Sequence, residues 1–251
     1  MSEITAIITT FNEEEHISEA LRSVAWCDEV IVVDSFSSDK TVELAKAEGA
    51  QVLRHEYESP AKQKNWIIPQ AKHERIVLLD ADERCTPELQ NEIQGLLKSD
   101  QLLDAYWIKR KNHFLGQEVK YSGWQDDKVI RFFHRDRCRY TETLVHEEIA
   151  CDGKIGLLKN KLTHFTYSSM GQYMKKFDRY TSNSAKDRAP NTGRVTLYHL
   201  WIKPAFRFFR HYILKLGILD GKVGWTIATL SAKSVADRYK KIALIKSGET
   251  I

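Results

Sequence analysis

The stretch Leu78-Leu79-Asp80-Ala81-Asp82-Glu83 sets three carboxylates within four residues directly behind the apolar run Ile76–Leu79. A buried carboxylate is costly unless it is paired or bound to a metal. An acidic cluster at the end of a buried strand therefore suits a divalent cation, and through it a phosphorylated ligand. A strand that simply reaches solvent at a polar turn would also read this way, because D-x-D is a short pattern. A second acidic pair, Asp126-Asp127, follows Gly123-Trp124-Gln125 and precedes the apolar run Val129–Phe133. A third constellation, Val145-His146-Glu147-Glu148, joins an imidazole to two carboxylates, with His164 further on. Carboxylates and imidazoles of this kind serve as general bases or metal ligands.

Three strong apolar runs carry the first half: Ile4–Ile8, Val30–Val33 and Ile76–Leu79, with a shorter Gln51–Leu53. Helical patterns separate them. Asn12 is placed to cap a helix whose first turn holds Glu13, Glu14 and Glu15. A second helix is predicted from Ser38-Asp39 to Gly49. Ser59-Pro60 and Thr86-Pro87 open two more, each with proline at a tolerated first-turn position. Strands alternating with helices predict a parallel sheet with right-handed crossovers. Ligands bind such sheets outside the carboxyl ends of the strands. Here those ends read Thr9-Thr10-Phe11-Asn12-Glu13, Asp34-Ser35 and Asp80-Ala81-Asp82, so the three polar ends are expected on one rim.

From about residue 105 the pattern becomes α+β, with strands predicted at Ala105–Ile108 and Lys128–Phe133 and a weaker one at Ile155–Leu158. After Thr163-His164-Phe165 the chain is expected to turn helical, with one helix over Met170–Ala189, a break at Pro190–Gly193, and a last helix ending near Lys246. The predicted division is a catalytic domain over 1–165 and a helical region over 166–251. Gly193–Ile251 holds 11 Lys/Arg against 3 Asp/Glu, whereas the preceding residues hold 27 against 31. On helical spacing Trp201, Ala205, Phe208, Tyr212 and Leu216 share one face, and Lys203, Arg207 and Arg210 the other. A basic, aromatic helix of this kind suits a membrane interface or a packed partner, including a second copy of the chain. No nucleic-acid motif accompanies the charge, so nucleic acid is not an expected partner.

The chain of 251 residues, 42% hydrophobic and 29% charged, can bury a sizeable core. Its four cysteines, Cys27, Cys85, Cys138 and Cys151, lie far apart without a C-x-x-C pair, which points away from a disulfide framework or a zinc site and toward a reducing cytoplasm. The N-terminus shows no basic-then-apolar leader, and no run of about eighteen apolar residues predicts a membrane span.

Four motifs in order, Thr10-Phe11-Asn12-Glu13, Val32-Val33-Asp34-Ser35-Phe36-Ser37-Ser38-Asp39-Lys40-Thr41, Lys62-Gln63-Lys64-Asn65 and Leu79-Asp80-Ala81-Asp82-Glu83, resemble family 2 glycosyltransferases. The tail is similar to the bacterial lipopolysaccharide core enzymes that add β-linked glucose to heptose. The resemblance implies an α/β GT-A fold, a Rossmann-like mixed sheet flanked by helices, with a C-terminal helical appendage. It implies inverting transfer from a UDP-sugar, with glucose favoured, to a lipid-linked core oligosaccharide at the cytoplasmic face of the inner membrane. Thr10, Asn12, Glu13, Asp34 and Lys64 would hold the nucleotide sugar. Asp80 would contact ribose or metal, and Asp82 would bind the Mg²⁺ or Mn²⁺ that offsets the charge of the departing diphosphate. His146 or His164 would complete the metal shell.

The resemblance places the general base on the acceptor side, with Asp127 favoured, Asp126 beside it and Glu147 a rival. Trp124 and Tyr121 could stack on a sugar. Two other classes fit parts of the pattern. A haloacid-dehalogenase-like phosphotransferase also carries D-x-D after a strand, and a non-catalytic protein could bind sugar nucleotides at a membrane surface.

Overall fold

The computed structural model describes residues 2–100, 102–141, 149–167 and 169–249. The chain divides into two compact units, Met1–Lys111 with Asp127–His164, and Asn112–Asp126 with Phe165–Ile251.

The first unit opens β1 (Ile4–Thr10), α1 (Ile17–Val24), β2 (Glu29–Asp34), α2 (Thr41–Ala47), β3 (Gln51–Arg54), α3 (Pro60–Ile67) and β4 (Arg75–Asp80). It continues with β5 (Glu83–Cys85), α4 (Pro87–Leu97) and β6 (Ala105–Phe114). The strand β7 (Gln117–Val119) belongs to the second unit. Then come β8 (Lys128–His134), β9 (Cys138–Tyr140), β10 (Ile149–Cys151) and β11 (Ile155–Tyr167). The main sheet runs β3-β2-β1-β4-β8-β6-β11-β5, parallel from β3 to β4 and antiparallel where β8 joins β4. β7 pairs with the end of β6, and β9 and β10 form a separate two-stranded sheet.

Alternation along each central strand sends successive side chains to opposite faces. Ile4, Ala6 and Ile8 of β1 join Val32, Val77 and Leu79 in a core with Ile17, Leu21 and Leu89. Ile7, Ile31, Val33, Ile76 and Leu78 enter the opposite core with Ile67. Burial on both faces explains why these strands read as unbroken apolar runs. Ser59 and Thr86 cap α3 and α4, accepting hydrogen bonds from the N–H of Lys62 and Leu89 at 3.2 Å each.

The second unit is helical around α5 (Met170–Arg188), α6 (Lys203–Phe209) and α7 (Gly221–Ser247). Ala185, Val235, Tyr239 and Ile242 pack α5 on α7, and Val223 and Ile227 of α7 pack on Phe114 and Val119. Asp220 ties the Lys120–Ser122 turn down by accepting from the N–H of Lys120 and Tyr121 and from Ser122 Oγ. Gly224 is required at the start of α7, because a Cβ there would lie 1.8 Å from the Gly217 carbonyl oxygen. Among the described residues no helix is long and apolar enough to cross a membrane.

Three local expectations change. Asn12 caps no helix: it takes a left-handed backbone (φ 54°), and its Oδ1 accepts from the Ser38 N–H at 2.8 Å, while α1 starts only at Ile17. β11 stays extended to Tyr167 instead of turning helical after Phe165. π-helical turns at Tyr198–Ile202 and Arg210–Leu214 flank α6 and break the assumed 100° spacing. Phe208 and Tyr212 therefore pack against Trp225, and the exposed apolar face is instead Leu197, Trp201, Ile202, Phe206 and Phe209. Cys138 and Cys151 are register partners across the β9–β10 pair, with their Sγ atoms 2.7 Å apart, yet all four cysteines are free thiols, in keeping with the reading against a disulfide framework.

Candidate active site

The pairing register aligns the strand ends. Thr10 pairs with Asp34 across β1 and β2, and Thr9 pairs with Asp80 across β1 and β4. The three polar ends thus stand in one row on the rim, as parallel strands require.

At the β1–β2 end, Asp34 is fully buried. Both of its oxygens accept from the Ser37 N–H, at 3.1 and 3.2 Å, and Arg54 Nε lies 3.8 Å away. Its carboxylate shapes the loop after β2. Thr10 is buried too, and among the described residues its Oγ1 has no hydrogen-bond partner. Half-buried Glu13 is anchored by its N–H to Thr41 Oγ1 at 2.8 Å, and its carbonyl starts α1. Phe11 and Phe36 are both exposed here, with Arg54 5.9 Å from the Phe36 ring centre.

At the β4 end the carboxylates are not equivalent. Asp80 accepts from Thr9 Oγ1 at 3.0 Å, pairs with Lys64 Nζ at 3.1 Å, and pairs with Arg131. Burial opposes the charge on Asp80, yet Arg131 and Lys64 outweigh it and hold the carboxyl far below the usual carboxylate range. Lys64 itself is buried, 5.2 Å from the Tyr140 ring centre. Asp82 is only half-buried, with His164 Nε2 3.6 Å from its Oδ2. His16 stands beside Arg84 of β5. Its imidazole is 3.3 Å from Arg84 Nη2, and burial first, then Arg84, lower its pKa while Asp82 opposes them.

Glu83 is the residue that sequence reasoning passed over as a mere neighbour of the D-x-D pair. It is fully buried in β5. Its Oε2 accepts from the Asp80 N–H at 3.1 Å and faces Arg131 Nε at 2.7 Å, while Oε1 accepts from Arg131 Nη2 at 3.0 Å and Arg110 Nη1 at 3.3 Å. Arg110 then grips Asp127 with two parallel bonds, Nε to Oδ2 at 2.9 Å and Nη2 to Oδ1 at 2.8 Å. A continuous chain of ion pairs, Lys64–Asp80–Arg131–Glu83–Arg110–Asp127, thus joins the D-x-D strand end to the favoured base. It holds three carboxylates and three cations, so it is balanced. The available signal was Arg131 itself: a guanidinium inside the apolar run Val129–Phe133 needs a buried anion.

Asp126 is exposed and falls in the second unit. Trp124 packs edge-to-face on Phe114 at 6.1 Å within the core of that unit, and the Tyr121 N–H bonds Asp220. His146 and Glu147 lie outside the described residues. Among the described residues no group of three or more His, Cys, Asp or Glu is placed around a single metal position. Asp82 with His164 is a two-donor arrangement, and a divalent ion bound through one or two protein groups completes its shell with phosphate oxygens and water. The donor set fits such an ion.

A mixed sheet flanked by helices, with carboxylates gathered at the rim of its parallel strands, is the architecture of the GT-A fold. Residues 5–178 match the family described as Glycosyl transferase family 2. An uncharacterized glycosyltransferase of Rickettsia typhi is 31% identical over 85% of this chain and 79% of its own length. The lipopolysaccharide core biosynthesis glycosyltransferase LpsC of Rhizobium meliloti is 25% identical over 94% of this chain and 93% of its own. Among solved structures, TarS 1–349 of S. aureus aligns over 98% of this chain and 92% of that one, at 16% identity and a TM-score of 0.49. The chain belongs to glycosyl transferase family 2 and is a glycosyltransferase.

Proposed function

We propose that the protein transfers a hexose, with glucose from UDP-glucose the first choice, to a heptose of the lipopolysaccharide inner core with inversion at the anomeric carbon. The rim geometry is the observation that carries this reading: the three polar strand ends stand in one row, which supports Thr10, Asn12, Glu13 and Asp34 as the nucleoside end and Lys64, Asp80 and Asp82 as the diphosphate end. The likeness to LpsC over nearly the whole of both chains supports the core-saccharide acceptor. Asp82 and His164 would hold Mg²⁺ or Mn²⁺, with His146 a further donor. The ion supplies Lewis-acid stabilisation of the leaving diphosphate. Asp80, engaged by Lys64 and Arg131, positions this strand end and presents a ribose contact. Asp127 takes the proton from the acceptor hydroxyl, and Arg110 fixes the orientation of its carboxylate.

The exposed face Leu197–Phe209, with Trp201 71% exposed among basic residues, suits the interface of an anionic bilayer. This reading places the protein peripherally on the cytoplasmic side of the inner membrane, where a lipid-linked acceptor would meet it. A panel of nucleotide sugars, each with Mn²⁺ or EDTA, tests the donor assignment. UDP-glucose should bind and be hydrolysed slowly, with both weakened by chelation and by Asp82→Asn. Binding that ignores chelation, or preference for a different nucleotide, would sink the donor assignment.

A further inference from the structure

A cavity lies wholly within the helical unit, between α5 and α7, with a volume of about 320 Å³. That is within the range of small-molecule sites, roughly 300–1,000 Å³. Tyr167, Tyr173, Phe177 and Tyr180 form its aromatic wall. Ser184 on α5 and Ser231 and Ser234 on α7 line it as well. Thr181 is different: its hydroxyl donates to the Asp178 carbonyl and accepts from Lys241.

The remaining lining residue is Arg238. Its Nε is buried and, among the described residues, has no hydrogen-bond partner, although its guanidinium lies 5.3 Å from the Tyr239 ring centre. Neighbouring lysines on these helices are compensated: Lys241 pairs with Asp178 at 2.6 Å and Lys233 with Asp237 at 2.7 Å. Arg238 has no carboxylate partner among the described residues. Instead, after burial, it feels Arg188 and Arg207, which together push its guanidinium below the usual value. A half-buried guanidinium that lines a cavity with no carboxylate beside it among the described residues leaves an electrostatic demand unmet.

We infer that this cavity binds an anionic saccharide of the sugar-phosphate class, its anion on the Arg238 guanidinium, its hydroxyls on the three serines and its ring against the tyrosines. Each part of the lining selects against simpler ligands. An acyl chain would leave the serines and Arg238 without partners. A bare anion would make no use of the aromatic wall. A neutral sugar would leave the guanidinium unmatched, whereas phosphate accepts its paired N–H groups. The inference stands independently of the donor and acceptor assigned above.

Calorimetry on the full-length protein tests it, with glucose 6-phosphate, inorganic phosphate, methyl glucoside and phosphatidylglycerol vesicles as probes. Glucose 6-phosphate should bind saturably, at least about tenfold tighter than inorganic phosphate or methyl glucoside. Saturating UDP should not displace it. Arg238→Gln should weaken it about tenfold or more and Arg238→Lys less, with UDP affinity unchanged in both. Hydrogen exchange on the unmodified protein should show new protection in α5 and α7 on adding the sugar phosphate, a readout that does not depend on the variants folding. Four results would each overturn the inference: no saturable binding below about 10 mM, displacement by UDP, response to vesicles alone, or protection confined to the first unit. Full affinity in a folded Arg238→Gln would do the same.

Discussion

Replacing Glu83 by glutamine tests the ion-pair chain at its centre. The substitution keeps the shape of the side chain and removes one charge, so a balanced set of three carboxylates and three cations becomes a buried excess of one positive charge. Removing one partner from a buried pair costs roughly 3–5 kcal/mol. Arg131 retains Asp80 and Arg110 retains Asp127, so the loss should fall near the low end, about 3 kcal/mol. For a chain of this size that lowers the melting temperature by roughly 6–12 °C. Equilibrium urea unfolding and thermal melting measure it. Arg131→Met and the double variant complete a cycle, and the two sites should couple by at least about 1 kcal/mol, because Arg131→Met also removes the group left uncompensated. A loss below about 1 kcal/mol in Glu83→Gln, or strict additivity in the cycle, would mean that the chain is a set of independent contacts, and the reasoning would fail.

Asp127→Asn should cut transfer by about 10²–10⁴ with UDP affinity nearly unchanged, measured by steady-state kinetics and calorimetry; transfer that survives there but dies in Asp126→Asn or Glu147→Gln would move the base. The folded-state pKa of Asp80 is depressed, so its contribution to stability is complete above its unfolded value of about 4 and is lost as pH falls toward the folded value. Denaturation midpoints should therefore fall more steeply below about pH 4 in the native chain than in Asp80→Asn; parallel acid limbs would contradict the paired state of Asp80. Trp201→Ser with Phe206→Ser should lower partitioning onto anionic vesicles at least about tenfold in sedimentation assays, since each large side chain contributes about 1.5–3 kcal/mol when buried. Unchanged partitioning would assign that face to a protein partner. These point variants serve better than truncation after Asn191, which would strip α7 from α5 and expose Ala185.

The rim was legible because a parallel sheet buried on both faces writes its strands as apolar runs, and the first polar residue after each run marks the carboxyl end. Thr10, Asp34 and Asp80 follow directly from that pattern. Local caps were legible where partners lie three residues apart, as at Ser59 and Thr86. Asn12 was misread because its partner, Ser38, is far away in sequence: the same side chain that could cap α1 instead stitches two rim loops together. The helical tail was misread for a different reason, since each π-helical turn shifts the side-chain register and moves Phe208 and Tyr212 from the solvent face into contact with Trp225.

Glu83 was hidden because β5 has only three residues and no apolar periodicity, Glu83-Arg84-Cys85. What makes it central lies on two other strands. β8 brings Arg131 beside Asp80 and Glu83, and β6 brings Arg110 between Glu83 and Asp127. Arg131 looks anomalous alone, a full charge on a strand that otherwise reads as core, whereas Arg110 is hidden in the basic run Lys109-Arg110-Lys111, and each is explained only by a carboxylate on a different element. The two acidic motifs, Asp80-Ala81-Asp82 and Asp126-Asp127, are therefore not independent parts that happen to face one ligand. Asp80 and Asp127 both belong to one charge-balanced chain, so a substitution at either arginine should disturb both at once. Asp82 stands outside that chain, beside His164. Under the proposed function that separation gives the two aspartates of the D-x-D pair different work: Asp80, held by Lys64 and Arg131, fixes the strand end, and Asp82 would hold the metal.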